Sequence, residues 1–148
     1  DYSNTALPEP KGGWRLYGGY GYNYQYLGNS RPSVYFRLRD SEIANTSQMV
    51  VVGDTDGAAN GTDGQYTIDP PIPSSRGSGK SSGYYSTKAS GLDNRAIPSE
   101  RNNGHGEFVF ADGHGEHKTR AALDDFDGDG TVDNGYWNTR ANADPEAN

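Results

Sequence analysis

The residues best placed to do chemistry lie between 125 and 136, where the chain reads DFDGDGTVDNGY. Asp125, Asp127, Asp129 and Asp133 fall on positions 1, 3, 5 and 9 of an EF-hand-type loop, with Gly130 at position 6 and Thr131 at position 7. Alternating carboxylates of this kind aim several hard oxygens at one centre. The glycine permits the bend that lets the Thr131 carbonyl join them. Without a cation the carboxylates repel one another; a divalent ion turns that repulsion into a local cross-link. Ca2+ is the expected ion, because Mg2+ takes fewer protein ligands and keeps its waters. Position 12 is Tyr136 rather than a bidentate Glu, and no convincing helices flank the loop. The expectation is a calcium loop on another scaffold, its last ligand supplied by Asp124 or by a carboxylate distant in sequence. The competing reading is a solvated Asp-Gly turn.

Two weaker constellations stand beside it. Asp54 and Asp56, with Asp63, form a second acidic loop that lacks the third alternating Asp and the central Gly. His105, His114 and His117 sit among Glu107, Asp112 and Glu116, a set that could hold a transition metal and serve a hydrolase through His105, His114 and Glu116. There is no HExxH and no Cys. With a strand over 107–112, His105 and His114 fall at its two ends, roughly 30 Å apart unless the chain turns back. Polar turn residues are the simpler account. No GxSxG, phosphate-binding loop or Cys nucleophile is present, so the chain reads as non-enzymatic.

The elements that must position these groups are built from few oily side chains. Of 148 residues only 31% are hydrophobic, 21 are Gly and 11 are Tyr, so the core is thin. Thin cores need disulfides, metals or self-association, and the absence of Cys removes the first. The net charge of -7 opposes binding to nucleic acid and to anionic membrane surfaces. No apolar run approaches the roughly 20 residues that cross a bilayer. The chain begins at Asp1, as expected of an excised or processed product.

Along the chain, residues 1–17 read as an extended arm, 18–137 as one domain and 138–148 as a polar tail. Tyr20, Tyr22, Tyr24 and Tyr26 alternate with small or polar residues. If extended, that segment puts four rings on one face, which either covers the core or makes a self-association surface. Strands are predicted over Val34–Arg39, Met49–Val52 (closed by Gly53-Asp54), Gln65–Asp69 and Glu107–Asp112. The Pro-, Ser- and Gly-rich stretch 70–104 reads as a long loop. Asn45-Thr46-Ser47 and Asn60-Gly61-Thr62 are glycosylation sequons. The fold class is α+β and strand-dominated, with long loops and the C-terminal calcium loop.

Three segments, GYGYNYQYLG, SEIANTSQMVVVGDTDG and RNNGHGEFVFADGHGE, resemble the globular part of bacterial prepilin-like proteins. These are the processing-associated family named for a His, nine residues and Asp-Gly. The resemblance runs from about Gly18 to Trp137 and is strongest at Phe108–His114. The family's His falls on Asn102, and its apolar N-terminal helix is not among these residues. The acidic loop is similar to the calcium site of type II secretion pseudopilins. The resemblance implies a pilin-like antiparallel sheet in a secreted or cell-surface subunit that self-assembles into a filament or pseudopilus. A monomeric calcium-dependent binding module, for carbohydrate or surface adhesion, is the alternative.

Overall fold

The longest aliphatic run, Met49–Val52, leads into the strand on which the sheet is built. The computed structural model describes residues 19–29, 36–56, 67–72 and 97–141. Its central strand, β4 (Val50–Asp56), pairs with β1 (Tyr20–Tyr22) on one side and β6 (Gly106–Phe110) on the other; β7 (Gly115–Lys118) closes the edge beyond β6. A two-residue strand, β5 (Ile97–Pro98), pairs with the end of β4. A separate ribbon joins β2 (Gly28–Asn29) to β3 (Phe36–Arg37). Every pairing between these strands is antiparallel. Two short helices, α1 (Tyr24–Leu27) and α2 (Arg120–Asp124), and 3-10 turns at Asp40–Glu42 and Thr46–Gln48 complete the described elements. The domain is strand-dominated, as the pattern of short apolar runs predicts.

β6 behaves as its alternation requires. Gly106, Phe108 and Phe110 are buried while Glu107 and Val109 face out. The chain turns at Asp112-Gly113, where Gly113 takes φ 92° and its amide donates to the Phe110 carbonyl at 2.9 Å. The central strand departs from expectation. Gly53-Asp54 does not break it; both residues lie within β4. Gly53 pairs directly with Phe108, whose ring lies where a Cβ on Gly53 would stand. A glycine here serves close packing under an aromatic ring rather than a turn.

The tyrosine segment is corrected more sharply. It is extended only over Tyr20–Tyr22 and then winds into α1. Asn23 stands at the change. Its amide donates to the Val51 carbonyl at 2.9 Å, and its side-chain nitrogen donates to the Val50 and Trp137 carbonyls at 2.9 and 3.0 Å. Such side-chain bonds offer the backbone an alternative to the ladder. Tyr24 and Tyr26 therefore turn inward and are buried, while Tyr20 and Tyr22 remain 54% and 39% exposed on the outer sheet face.

Other boundaries shift as well. Of the strand predicted over Val34–Arg39, Phe36–Arg37 pair, Leu38 packs on the core, and Val34 and Tyr35 lie outside the described residues. Of Gln65–Asp69, Thr67 bridges Tyr22 and Ile68 is buried. The stretch 70–104 is not loop throughout, since it contributes β5. The polar tail does not begin at 138: Asn138 and Thr139 are buried, and the Ala44 amide donates to the Thr139 carbonyl at 2.8 Å. Residues 1–18, and so the predicted arm, lie outside the described set.

The core gathers Tyr26, Met49, Val50, Ile68, Phe108, Phe110, Leu123 and Trp137. Each large apolar side chain buried this fully contributes roughly 1.5–3 kcal/mol. With so few of them, one misplaced ring matters. Gly53→Ala drives a methyl into Phe108 and is expected to cost about 1–3 kcal/mol by overpacking. Urea unfolding of the variant measures it; an unchanged midpoint would show that Phe108 moves aside freely.

Candidate metal centre

The acidic loop hangs between two fixed points. At its start, α2 buries Leu123 and Asp124, with Thr119 Oγ1 accepting from the Ala122 amide at 3.2 Å as the N-cap. At its end, Asn134, Trp137 and Asn138 are buried. Asn134 Nδ2 donates to Tyr26 Oη at 2.9 Å and to the Ile72 carbonyl at 3.1 Å; the Val50 amide donates to the Tyr136 carbonyl at 2.8 Å. The Asp133 amide closes the loop by donating to the Asp124 carbonyl at 2.8 Å.

Inside this closure the backbone folds over the carboxylates. Gly128 and Gly130 adopt φ 75° and 85°, the left-handed region where glycine carries no penalty. Asp125 Oδ2 accepts from the Gly130 amide at 3.0 Å, and Asp127 Oδ1 from the Asp129 amide at 3.2 Å. Asp133 accepts from Phe126 N at 2.8 Å and Gly135 N at 2.5 Å. The result brings one oxygen from each of Asp125, Asp127 and Asp133 within 4.8 Å of one another. Oxygens on opposite sides of a Ca2+ ion stand about that far apart, since each Ca–O distance is about 2.3–2.6 Å. Asp125 Oδ1 is also buried and has no hydrogen-bond partner among the described residues. An ionised oxygen in that position is costly unless a cation or donor meets it. The donor set is hard oxygen throughout, which suits hard divalent cations better than the softer transition metals.

The structure does not bring all five predicted ligands together. Asp129 is not one of the converging three; its Oδ1 accepts from the Thr131 amide at 2.7 Å. Asp124 is buried behind the loop, and burial, reinforced by the charge of Asp133, pushes its carboxyl up to about 7. Burial likewise raises Asp133, although the Gly135 and Phe126 amides pull the other way; the charges of Asp127 and Asp125 add to the rise. Burial and the neighbouring carboxylates thus penalise negative charge in one small volume, and the two amides offset only part of that.

Of the second acidic loop, only the Asp54 side chain is among those described. Asp54 is buried in β4 and its carboxylate is already satisfied. Oδ1 pairs with Arg101 at 3.1 Å, while Oδ2 accepts from Asn102 Nδ2 at 2.9 Å and the Glu107 amide at 3.0 Å. Asp56 ends the same strand, and Asp63 lies outside the described residues. Asn102 is thus a partner of a buried carboxylate. The histidines do not converge either: among the described residues the acidic triad is the one grouping of three metal-ligating side chains. His117 faces Glu107 at 3.5 Å, and His114 sits by the hairpin turn. Arg101, which also reaches the Gly19 and Thr55 carbonyls, was not anticipated; a buried Asp in a strand is the signal that calls for such a partner.

Comparison with protein-family models, with characterised proteins and with solved structures gives no match for this chain.

Asp124 generates a pH prediction. A carboxyl that titrates near 7 when folded, against about 3.9 when unfolded, favours folding while protonated. That advantage is full below the unfolded value and is lost as pH rises through about 7. In chelator, the melting temperature should fall between about pH 4 and about 7 and level off above, and Asp124→Asn should flatten the fall. Equal slopes for the two proteins would remove Asp124 as the cause.

Proposed function

We propose that this chain is a non-enzymatic, extracellular structural subunit that takes up calcium in the 125–133 loop and assembles with copies of itself. The observation that carries the reading is the convergence of Asp125, Asp127 and Asp133, together with the orphaned buried oxygen of Asp125. Asp125, Asp127 and Asp133 would hold the ion. It would neutralise their mutual repulsion and tie α2 to the segment that buries Trp137. With three described carboxylates and Tyr136 rather than Glu at position 12, the expected calcium affinity is weak, with a Kd of roughly 10⁻⁴–10⁻³ M, the range of extracellular modules.

The surface proposed for self-contact is the outer face of the sheet. Tyr20, Tyr22 and Val109 are exposed there, and register places Val52 between Tyr22 and Val109. Large apolar side chains grouped on a sheet face are more easily reconciled with a partner than with water. Tyr24 and Tyr26 play no part, being buried. The pilin-like description of this sheet, and with it a pseudopilus or filament role, rests on the resemblance of the three quoted segments. A second reading, a monomeric calcium-dependent binding module, draws support from the exposure of Asp127 on the loop's outer side, where an ion could accept a ligand from solution.

Calorimetric titration and melting test the ion. Calcium at about 100 times its Kd should stabilise the chain by about 2.7 kcal/mol, and Asp127→Ala should abolish the gain. Asp129→Ala should leave most of it. An identical melt in calcium and in chelator would defeat the structural ion. Sedimentation velocity tests assembly: calcium-loaded protein should associate, and Val109→Lys with Tyr22→Ser should return it to monomer. A calcium-loaded monomer that binds glycans would instead establish the second reading.

A further inference from the structure

Beyond the acidic loop, His114, at the turn between β6 and β7, stands between two carboxylates. Its Nδ1 lies 2.5 Å from Asp112 Oδ1, and its Nε2 lies 3.2 Å from Glu116 Oε1. Its ring stacks on Phe110 with centroids 4.6 Å apart and planes 2° from parallel. A neutral imidazole carries one N–H, so it can donate to only one of two flanking carboxylates; the imidazolium donates to both. We propose that His114 is a protonation clasp: its imidazolium bridges Asp112 and Glu116 across the β6–β7 turn, and loss of the proton releases one side of the bridge.

The surroundings define what that release does. Asp112 is held on its other side, its amide donating to the Thr46 carbonyl at 3.1 Å, and its Oδ1 also accepts from the His114 amide at 3.1 Å. Glu116 also pairs with Lys118 at 2.8 Å, and Lys118 lies over the Tyr136 ring at 4.6 Å. The charged and titratable groups around the ring are therefore Asp112 from the turn, Glu116 and, behind it, Lys118 from β7, and Tyr136 beyond Lys118. The facing 3-10 turn Thr46–Gln48 has no titratable side chain. Phe110 holds the ring plane fixed, so both nitrogens cannot swing away together. The bridge to Asp112 raises the His114 pKa, the contact with Glu116 adds to the rise, and desolvation opposes it. Because the folded value is raised, the clasp's contribution is whole below the ordinary histidine value of about 6.5 and is lost as pH climbs through the folded value. β7 is the sheet's outer strand on this side, so its hold on β6 is the pairing a weakened turn would loosen first.

NMR titration of the His114 ring in the whole chain tests this directly. The ring should titrate above about 6.5, with both nitrogens protonated below that point. Asp112→Asn should bring the value down, and Glu116→Gln should do so by less. Amide exchange at Gly113 and Gly115, corrected for its intrinsic pH dependence, should quicken as the ring deprotonates. His114→Phe, which can keep a stacked ring but has no N–H, should lose that pH step while remaining folded. A His114 value at or below 6.5, or one unmoved by Asp112→Asn, would overturn the clasp, as would an exchange step that persists in His114→Phe.

Discussion

The structure depends on one closure, the bond from the Asp133 amide to the Asp124 carbonyl, with the Asp133 carboxylate capping the Phe126 and Gly135 amides beside it. This closure pulls an acidic loop against the sheet and delivers Trp137 into the core. It does so against electrostatics: Asp124 and Asp133 are both buried, and Asp125 and Asp127 stand next to them. Backbone donors offset part of that cost, since an amide pointing at a carboxylate favours its charged form. They do not offset all of it, because the carboxyls of both Asp124 and Asp133 remain raised. A domain with so small an apolar core has little stability in reserve. Charge balance in this loop therefore bears on the whole domain and not only on its last turn.

Trp137 shows how the two are joined. It is fully buried, and its carbonyl accepts from Asn23, the residue that ends β1 and starts α1. Asn134, three residues earlier, reaches Tyr26 within α1 and brackets Ile72 through both its oxygen and its nitrogen. The loop's exit is thus stitched to the first, central and connecting segments of the chain by buried amide side chains. Buried polar groups of this kind are costly when unpaired and directional when paired. In a core short of oily volume, direction substitutes for bulk: the asparagines fix where each segment crosses, and the aromatic rings fill what remains.

Much of the frame was legible in the sequence because it follows local rules. Met49–Val52 and Phe108–Phe110 carry the apolar patterns of a central and a half-buried strand, and each forms one. Asp112-Gly113 turns because glycine accepts a positive φ there. The spacing forecasts convergence of Asp125, Asp127, Asp129 and Asp133, and it is met by Asp125, Asp127 and Asp133. What local pattern could not show was long-range pairing. The tyrosine alternation promises an extended ribbon, yet Asn23 donates to three carbonyls on other segments at the point where the chain winds into α1. Gly53-Asp54 has the composition of a break, yet Phe108 and Arg101, both more than 40 residues away in the chain, make the pair acceptable inside a strand. Asp129 fits the loop spacing but turns to the Thr131 amide, a choice between near-equal local bonds that spacing does not decide.

The two faces of the sheet then have different fates for the same reason. On the inner face, Phe110 is the junction: its ring meets His114 on one side and Tyr136 on another, and Tyr136 meets Phe126 within the acidic loop. Lys118 lies across both Phe110 and Tyr136 and pairs its charge with Glu116. Glu116 and Lys118 on the edge strand pair with each other, and His114 at the turn pairs with Glu116, which makes this edge a poor template for a further strand. On the outer face, Tyr20, Tyr22 and Val109 have no such ladder, and register places them on the same side as Val52. If copies of this chain associate, edge-to-edge pairing through β7 is disfavoured by its charges and contact through the flat of the sheet is not. The direction of any assembly is thus constrained by where the paired charges lie, before any partner is considered.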